Sequence, residues 1–204
     1  MHIPVMVNEV VEYIGKNSGK IFVDATLGCG GYTKKILENY ENCFVVGFDW
    51  DKEAIKYCEE NLKEYISQNR LKIINQSYTN ISNTLNMMGI TTVDGVVFDL
   101  GMSTLQLKSN RGFSFIDDKL DMRMSEIFQF ETAKEIINTY SQRQLLDIFF
   151  NYGEERHSDI VVKAICEYRR NKKIESAKEL AEIVRGSLLK YYKGSRIHPA
   201  TKIF

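Results

Sequence analysis

The residues with the clearest chemical content lie in the stretch 24–33, which reads DATLGCGGYT, and in two acids that follow it, Asp49 and Asp99. A glycine-rich turn between an apolar run and a helix-like segment lets the backbone come close to a nucleotide-like ligand. Within that turn Gly28, Gly30 and Gly31 supply the freedom in φ and the absent Cβ that such an approach needs. Asp49 stands 21 residues past Gly28, at the carboxyl end of the next apolar run, where a carboxylate can accept both hydroxyls of a ribose. Asp99 closes a further apolar run, VDGVVFDL at 93–100. A buried strand end seldom carries a carboxylate without a partner or a task. Tyr78, just after a third apolar run, is an aromatic ring placed to cover a flat base. Each feature also has a structural reading: a tight connection, a helix cap, or packing.

Charge separates the nucleoside cofactors that such a site could take. A dinucleotide calls for the full G-x-G-x-x-G run with a helix N-terminus on the pyrophosphate, whereas the turn reads G-C-G-G-Y and lacks the third glycine. Asp99 would repel a phosphate and attract a sulfonium. S-adenosyl-L-methionine, with a positive sulfur and no phosphate, fits better, and an NAD-dependent oxidoreductase is the weaker alternative.

The elements that must position these residues follow from periodicity. Residues 5–14 read as a short leading helix, 21–27 as a parallel strand covered on both faces, 33–40 as a helix, and 43–49 as the second strand. Asp51 suits the N-cap of a helix over 52–66, which leaves Asp49 for the ligand. A third strand spans 71–77, a helix 80–88, and a fourth strand 93–100. If the first and fourth strands are neighbours, Asp99 emerges beside the glycine turn.

From Gly101 the pattern changes to a polar loop and then helices. One starts at Ser141, with Gln144 completing a capping box, and ends at Gly153. Another covers 158–170. A third starts at Ser176, with Glu179 in a second capping box, and reaches Tyr192. The fold class is α/β, with 1–106 forming the N-terminal part of a Rossmann-like cofactor-binding domain. Residues 107–204 form a helical substrate domain and the start of a return segment.

Composition narrows the partners. The 204 residues balance 27 Lys and Arg against 27 Asp and Glu, but unevenly: 12 basic against 5 acidic residues follow Glu155, and 15 against 22 precede Arg156. The basic part, with Arg169, Arg170, Lys172, Lys173, Arg185, Lys190, Lys193 and Arg196, is a footprint for phosphates. Cys29, Cys43, Cys58 and Cys166 form no CxxC pair and lie far in sequence from His2, His157 and His198, which excludes zinc-ligand spacing and suggests reduced thiols. No membrane-length apolar run or targeting segment is present, so a cytoplasmic location is expected.

Several motifs together, DATLGCGGYT, FDWDKEAI, VDGVVFDLGMSTLQL, RGFSF, LDMRM, YGEER and IHPATKIF, resemble the bacterial MraW/RsmH type of 16S ribosomal RNA (cytosine-N4)-methyltransferase, from His2 to Phe204. The resemblance implies a class I, Rossmann-like S-adenosylmethionine-dependent core with a helical inserted domain, acting on the N4 amine of a cytidine in the small (30S) subunit. It implies cofactor contacts at Gly30, Gly31, Tyr32, Asp49, Tyr78, Asp99 and Gln106. Tyr32 stands where the family commonly has His, and Tyr78 where it usually has Phe. The family continues past IHPATKIF into further strands, so the fourth strand is expected to show an unpaired edge through which a homodimer could form. A truncated, non-catalytic RNA- or cofactor-binding remnant is the alternative reading. Phe113 and Phe115 are expected to anchor the long loop, with stacking on a flipped base as the other possibility.

Overall fold

A computed structural model describes residues 4–15, 20–127 and 129–204; His2 lies outside them. The chain divides into two compact units, 1–105 and 106–204.

In the first unit, α1 (Val7–Ile14) precedes a parallel sheet. Its strands are β1 (Ile21–Asp24), β2 (Phe44–Asp49), β3 (Leu71–Asn75) and β4 (Gly95–Val97), in the order β3-β2-β1-β4. The connections are α2 (Gly31–Asn39), then α3 (Lys52–Asn61) with α4 (Lys63–Ser67), then a 3-10 turn at Tyr78–Asn80 with α5 (Ile81–Met87). Phe22, Val45 and Ile36 are fully buried on one face of the sheet, and Val23, Val46 and Phe48 on the other. Burying such side chains stabilises the fold by roughly 1.5–3 kcal/mol each. Continuous apolar character thus does mean a strand covered on both sides.

The boundaries differ from the sequence expectations for identifiable reasons. β1 stops at Asp24, three residues early, because that carboxylate is itself buried and begins the turn. The helix expected over 52–66 breaks at Leu62, whose φ of −116° and ψ of 18° leave the helical region while its side chain stays buried. β4 has three residues in place of eight, and the helix expected from Thr33 begins at Gly31. Arg70 then locks α2 to the sheet: its guanidinium donates to the carbonyls of Leu37 at 2.8 Å and Tyr40 at 2.6 Å, satisfying the end of that helix.

The second unit comprises α6 (Thr104–Leu107, which straddles the division), α7 (Ala133–Thr139), α8 (Gln142–Asn151), α9 (Ser158–Arg169), α10 (Ala177–Leu188) and a 3-10 turn at Pro199–Lys202. Leu145, Val161, Ile165, Ile174, Val184 and Leu188 fill its core at zero exposure. The capping box of α8 forms as expected, Ser141 taking the Gln144 N–H and Gln144 returning to Ser141. At α10 only half of it forms: Ser176 caps, but Glu179 turns to Lys172 and Tyr168. Thr132 and Glu135 make a capping box on α7 that the sequence reading missed.

The motifs of the long loop turn out to be its staples. Arg111 accepts at its carbonyl from the N–H groups of Asp121 and Met122, at 2.9 and 2.8 Å, so RGFSF and LDMRM run side by side. Asp121 and Arg123 form a two-pronged ion pair at 2.7 and 2.8 Å. Buried Asp117 takes the N–H of Gly112 at 2.9 Å. Phe113 is 6% exposed, and Phe115 stacks on His198 with ring centres 4.6 Å apart and meets Phe204 edge-on. Both rings anchor the loop. YGEER meets IHPATKIF where the Lys202 carbonyl passes Gly153, 2.1 Å from where a Cβ would stand, so only glycine fits.

Candidate cofactor site

β1 pairs with β2 on one side and β4 on the other, so the order reverses at β1. A crevice at the carboxyl ends of parallel strands, at such a switch point, is where open α/β sheets bind ligands. The turn from β1 to α2 opens there. Gly30 caps α2 with φ 73°, a left-handed conformation, and a Cβ on it would lie 2.7 Å from Leu62 and 3.0 Å from the Cys58 sulfur. Gly31 begins the helix against Pro4.

Two carboxylates hold this turn. Asp49 accepts from the Gly28 N–H at 2.8 Å through one oxygen and from the Asp51 N–H at 2.9 Å through the other. Asp51 caps α3 by accepting from the Glu53 N–H at 3.0 Å, so the division of labour between these two acids is as expected for Asp51, while Asp49 also has a structural task. Burial pushes the Asp49 carboxyl up, against the pull of those hydrogen bonds. Asn75 fixes the end of β2 by donating to the Asp49 carbonyl at 3.0 Å.

The second carboxylate, Asp24, is one the sequence reading did not single out. It has no exposed surface, accepts from the Thr33 hydroxyl at 2.7 Å and from the Thr26 N–H at 3.3 Å, and so ties both ends of the turn. The Thr26 hydroxyl in turn accepts the Asp99 N–H at 2.7 Å, which joins the end of β4 to the same network. Burial raises the Asp24 carboxyl to about 6, with the nearby Asp49 adding to the rise. The rule applied to Asp99, that a carboxylate at a buried strand end has a task, applies to Asp24. Asp99 itself is exposed, because β4 already ends at Val97.

The remaining candidates are placed as follows. Tyr32 is 7% exposed and donates its hydroxyl to the Val5 carbonyl at 2.7 Å, so the phenol ties the segment before α1 to the turn. Burial, and then the negative charges of Asp99 and Asp24, push the Tyr32 phenol up from its ordinary pKa, which makes it a weaker acid. Tyr78, 41% exposed, meets Phe98 edge-on at 5.7 Å. Tyr78 follows β3 and Phe98 follows β4, the two outer strands of the sheet. Gln106 is 5% exposed and belongs to the second unit, so six of the seven expected residues fall in the first unit.

Asp24, Asp49 and Asp99 take no cationic side chain among the described residues; Asp24 and Asp49 are held by neutral N–H and O–H donors. Their negative charge is therefore not cancelled within the unit. Such a donor set fits a cofactor that brings hydroxyls and a positive charge, and does not fit a pyrophosphate.

Sheet order and switch point define a Rossmann-like α/β protein. A family model described as the MraW methylase family matches residues 1–204, and the chain belongs to that family. Similar proteins include ribosomal RNA small subunit methyltransferase H of a Sulfurihydrogenibium species, 40% identical over 204 residues, covering all of this chain and 69% of the relative. That of a Hydrogenobaculum species is 42% identical over 205 residues, covering all of this chain and 67% of the relative. The protein of that name from Rickettsia akari is 41% identical, and the chain spans 64% of it.

Proposed function

We propose that this chain is an S-adenosylmethionine-dependent methyltransferase acting on the N4 amine of a cytidine in small-subunit ribosomal RNA. Membership of the MraW methylase family carries the reading, together with relatives named ribosomal RNA small subunit methyltransferase H. The uncancelled carboxylates at the strand ends support it from the side of chemistry. The cofactor supplies a methyl group made electrophilic by its sulfonium sulfur.

Each residue then has a part. Asp49 takes the ribose hydroxyls, using acceptor capacity left beyond its two backbone donors. Gly30, Gly31 and Tyr32 shape the turn that the cofactor lies against, and Tyr78 covers the base. An exocyclic cytosine amine is a poor nucleophile because its lone pair is delocalised into the ring, so alignment and electrostatics do most of the catalysis. Asp99, exposed at the end of β4, holds the cofactor and polarises the amine. We place the protein in the cytoplasm with its ribosomal substrate; among the described residues no helix is long and apolar enough to cross a membrane. Among the described residues β4 is outermost in the sheet and only three residues long, which makes it a weak template for a homodimer.

The test is methyl transfer from labelled S-adenosylmethionine to small ribosomal subunits, followed by digestion to nucleosides. N4-methylcytidine is the expected product, lost or strongly reduced in Asp99→Asn. RNA binding without methyl transfer would favour the non-catalytic reading, and a methyl group on another atom would overturn the assigned substrate.

A further inference from the structure

The cations of the second unit are of two kinds. Arg169 spends its guanidinium on the carbonyls of Ile137 and Tyr140, Lys172 pairs with Glu179 at 2.7 Å, and Arg185 pairs with Glu182 at 2.6 Å. These belong to the fold. The segment after α10 differs. Residues 189–197, LKYYKGSRI, hold Lys190, Lys193 and Arg196 and no acid. Lys193 and Arg196 take no carboxylate among the described residues, nor does the neighbouring exposed Arg156.

That segment also carries an organised aromatic pair. Tyr191 and His157 stack with ring centres 4.0 Å apart and planes 26° apart, and the Lys190 ammonium sits 4.6 Å from the Tyr191 ring centre. Tyr191 nevertheless remains 42% exposed. The pair is held from beneath by Glu155, which is 2% exposed. One Glu155 oxygen takes the His157 N–H at 2.9 Å and the other takes the Tyr192 hydroxyl at 2.6 Å. A buried carboxylate thus fixes one ring's own backbone and the immediate neighbour of the other ring. Burial first, and then Glu155, push the Tyr192 phenol up to about 12, so this tie persists across the working pH range.

We infer that the Tyr191–His157 stack, with Lys190, Lys193, Arg196 and Arg156 around it, is a docking surface for single-stranded RNA. Rigid aromatic faces interleaved with cations suit a strand whose bases are splayed and whose phosphates follow the charges. A duplex keeps its bases inside its own stack and can use only the charges. Glu154 and Asp159 are the nearby exposed acids, and Lys202 donates to the Glu154 carbonyl at 2.9 Å. The surface rests on the ribosomal RNA reading above and narrows it to a strand form and a place on the chain.

The experiment measures fluorescence anisotropy of the whole chain with a labelled single-stranded RNA of about 12 nucleotides, within the site size of such surfaces, and with the same strand in a duplex. No cofactor is added, so the outcome is independent of whether S-adenosylmethionine binds. The single strand is expected to bind more tightly than the duplex. Tyr191→Ala weakens it about 10-fold, in keeping with one lost stacked base. Tyr191→Phe retains binding. The double variant Lys193→Glu with Arg196→Glu weakens binding and lowers its salt dependence, whereas Arg185→Glu, at a cation already paired, changes it far less. Wild-type affinity in Tyr191→Ala with an unchanged salt slope in the double variant, equal affinity for strand and duplex, or no RNA binding at all would overturn the inference. Failure of the methyltransferase reading shows elsewhere, as absent methyl transfer by a chain whose RNA binding follows this pattern.

Discussion

Carboxylates are treated in opposite ways in the two units. In the first, Asp24 and Asp49 are buried or nearly so and are held only by N–H and O–H donors, with Asp99 close by through Thr26. In the second, Asp121 is matched by Arg123 and Glu179 by Lys172; Glu155 is the exception there, a buried carboxylate held by the neutral Tyr192 hydroxyl and His157 N–H. The difference teaches where charge is available. A carboxylate paired with a cation contributes to the fold and presents little field, whereas one held by neutral dipoles keeps its charge for a ligand. The same division sorts the cations, since Arg169, Lys172 and Arg185 are committed while Lys193 and Arg196 are not.

Asp24 offers the largest test of this contrast. An acid raised from 3.8 to about 6 in the fold binds its proton more tightly when folded than when unfolded. The stability associated with that proton is therefore present below about pH 4 and is lost as the pH rises through about 6. Asp24→Asn keeps an acceptor for Thr33 and removes the dependence. Its stability relative to wild type should rise by up to about 3 kcal/mol between pH 4 and 7 in urea denaturation; parallel curves would show that Asp24 is not burdened by burial.

Gly30→Ala probes the turn itself. A side chain at φ 73° facing Leu62 and Cys58 should cost about 2 kcal/mol of stability, measured by chemical denaturation, and weaken cofactor binding with it. Smaller again is Glu179. Burial alone would raise its carboxyl, but hydrogen bonds from Lys172, Tyr168 and the Glu175 N–H pull it down to about 2. Its contribution is present above about pH 4.5 and disappears as the pH falls toward 2. Glu179→Gln should lose about 1 kcal/mol at neutral pH, limited because Lys172 is largely exposed, and should be indistinguishable from wild type at pH 2. Arg185→Ala, at an exposed pair with Glu182, should leave the denaturation midpoint unchanged; a clear shift would blur the contrast from the other side.

Much of the first unit was legible in the sequence because its strands are covered on both faces and announce themselves as apolar runs. The position of Asp49 at the end of β2 and the cap at Asp51 followed from spacing and side-chain chemistry. What was not legible depended on three-dimensional neighbours. Asp24 opens the most conspicuous stretch of the chain, yet its burial is visible only once Thr33 returns to it across the turn. Leu62 reads as one more apolar helical position, and its break makes sense only with Gly30 packed against it. In the second unit, RGFSF and LDMRM carried the family resemblance without revealing that they bind each other. The basic residues formed one list, and only the structure separates those spent on carbonyls and carboxylates from those that face outward.

The central claim, that the acids at the strand ends hold a sulfonium nucleoside, is tested most directly by calorimetric titration of wild type and Asp49→Asn with S-adenosylmethionine, with NAD as the comparison ligand. Wild type should bind S-adenosylmethionine saturably and NAD not at all. The variant, which loses charge-assisted acceptance at that carboxyl, should bind S-adenosylmethionine at least about 10-fold more weakly. Undiminished affinity in Asp49→Asn, or saturable binding of NAD, would contradict the account.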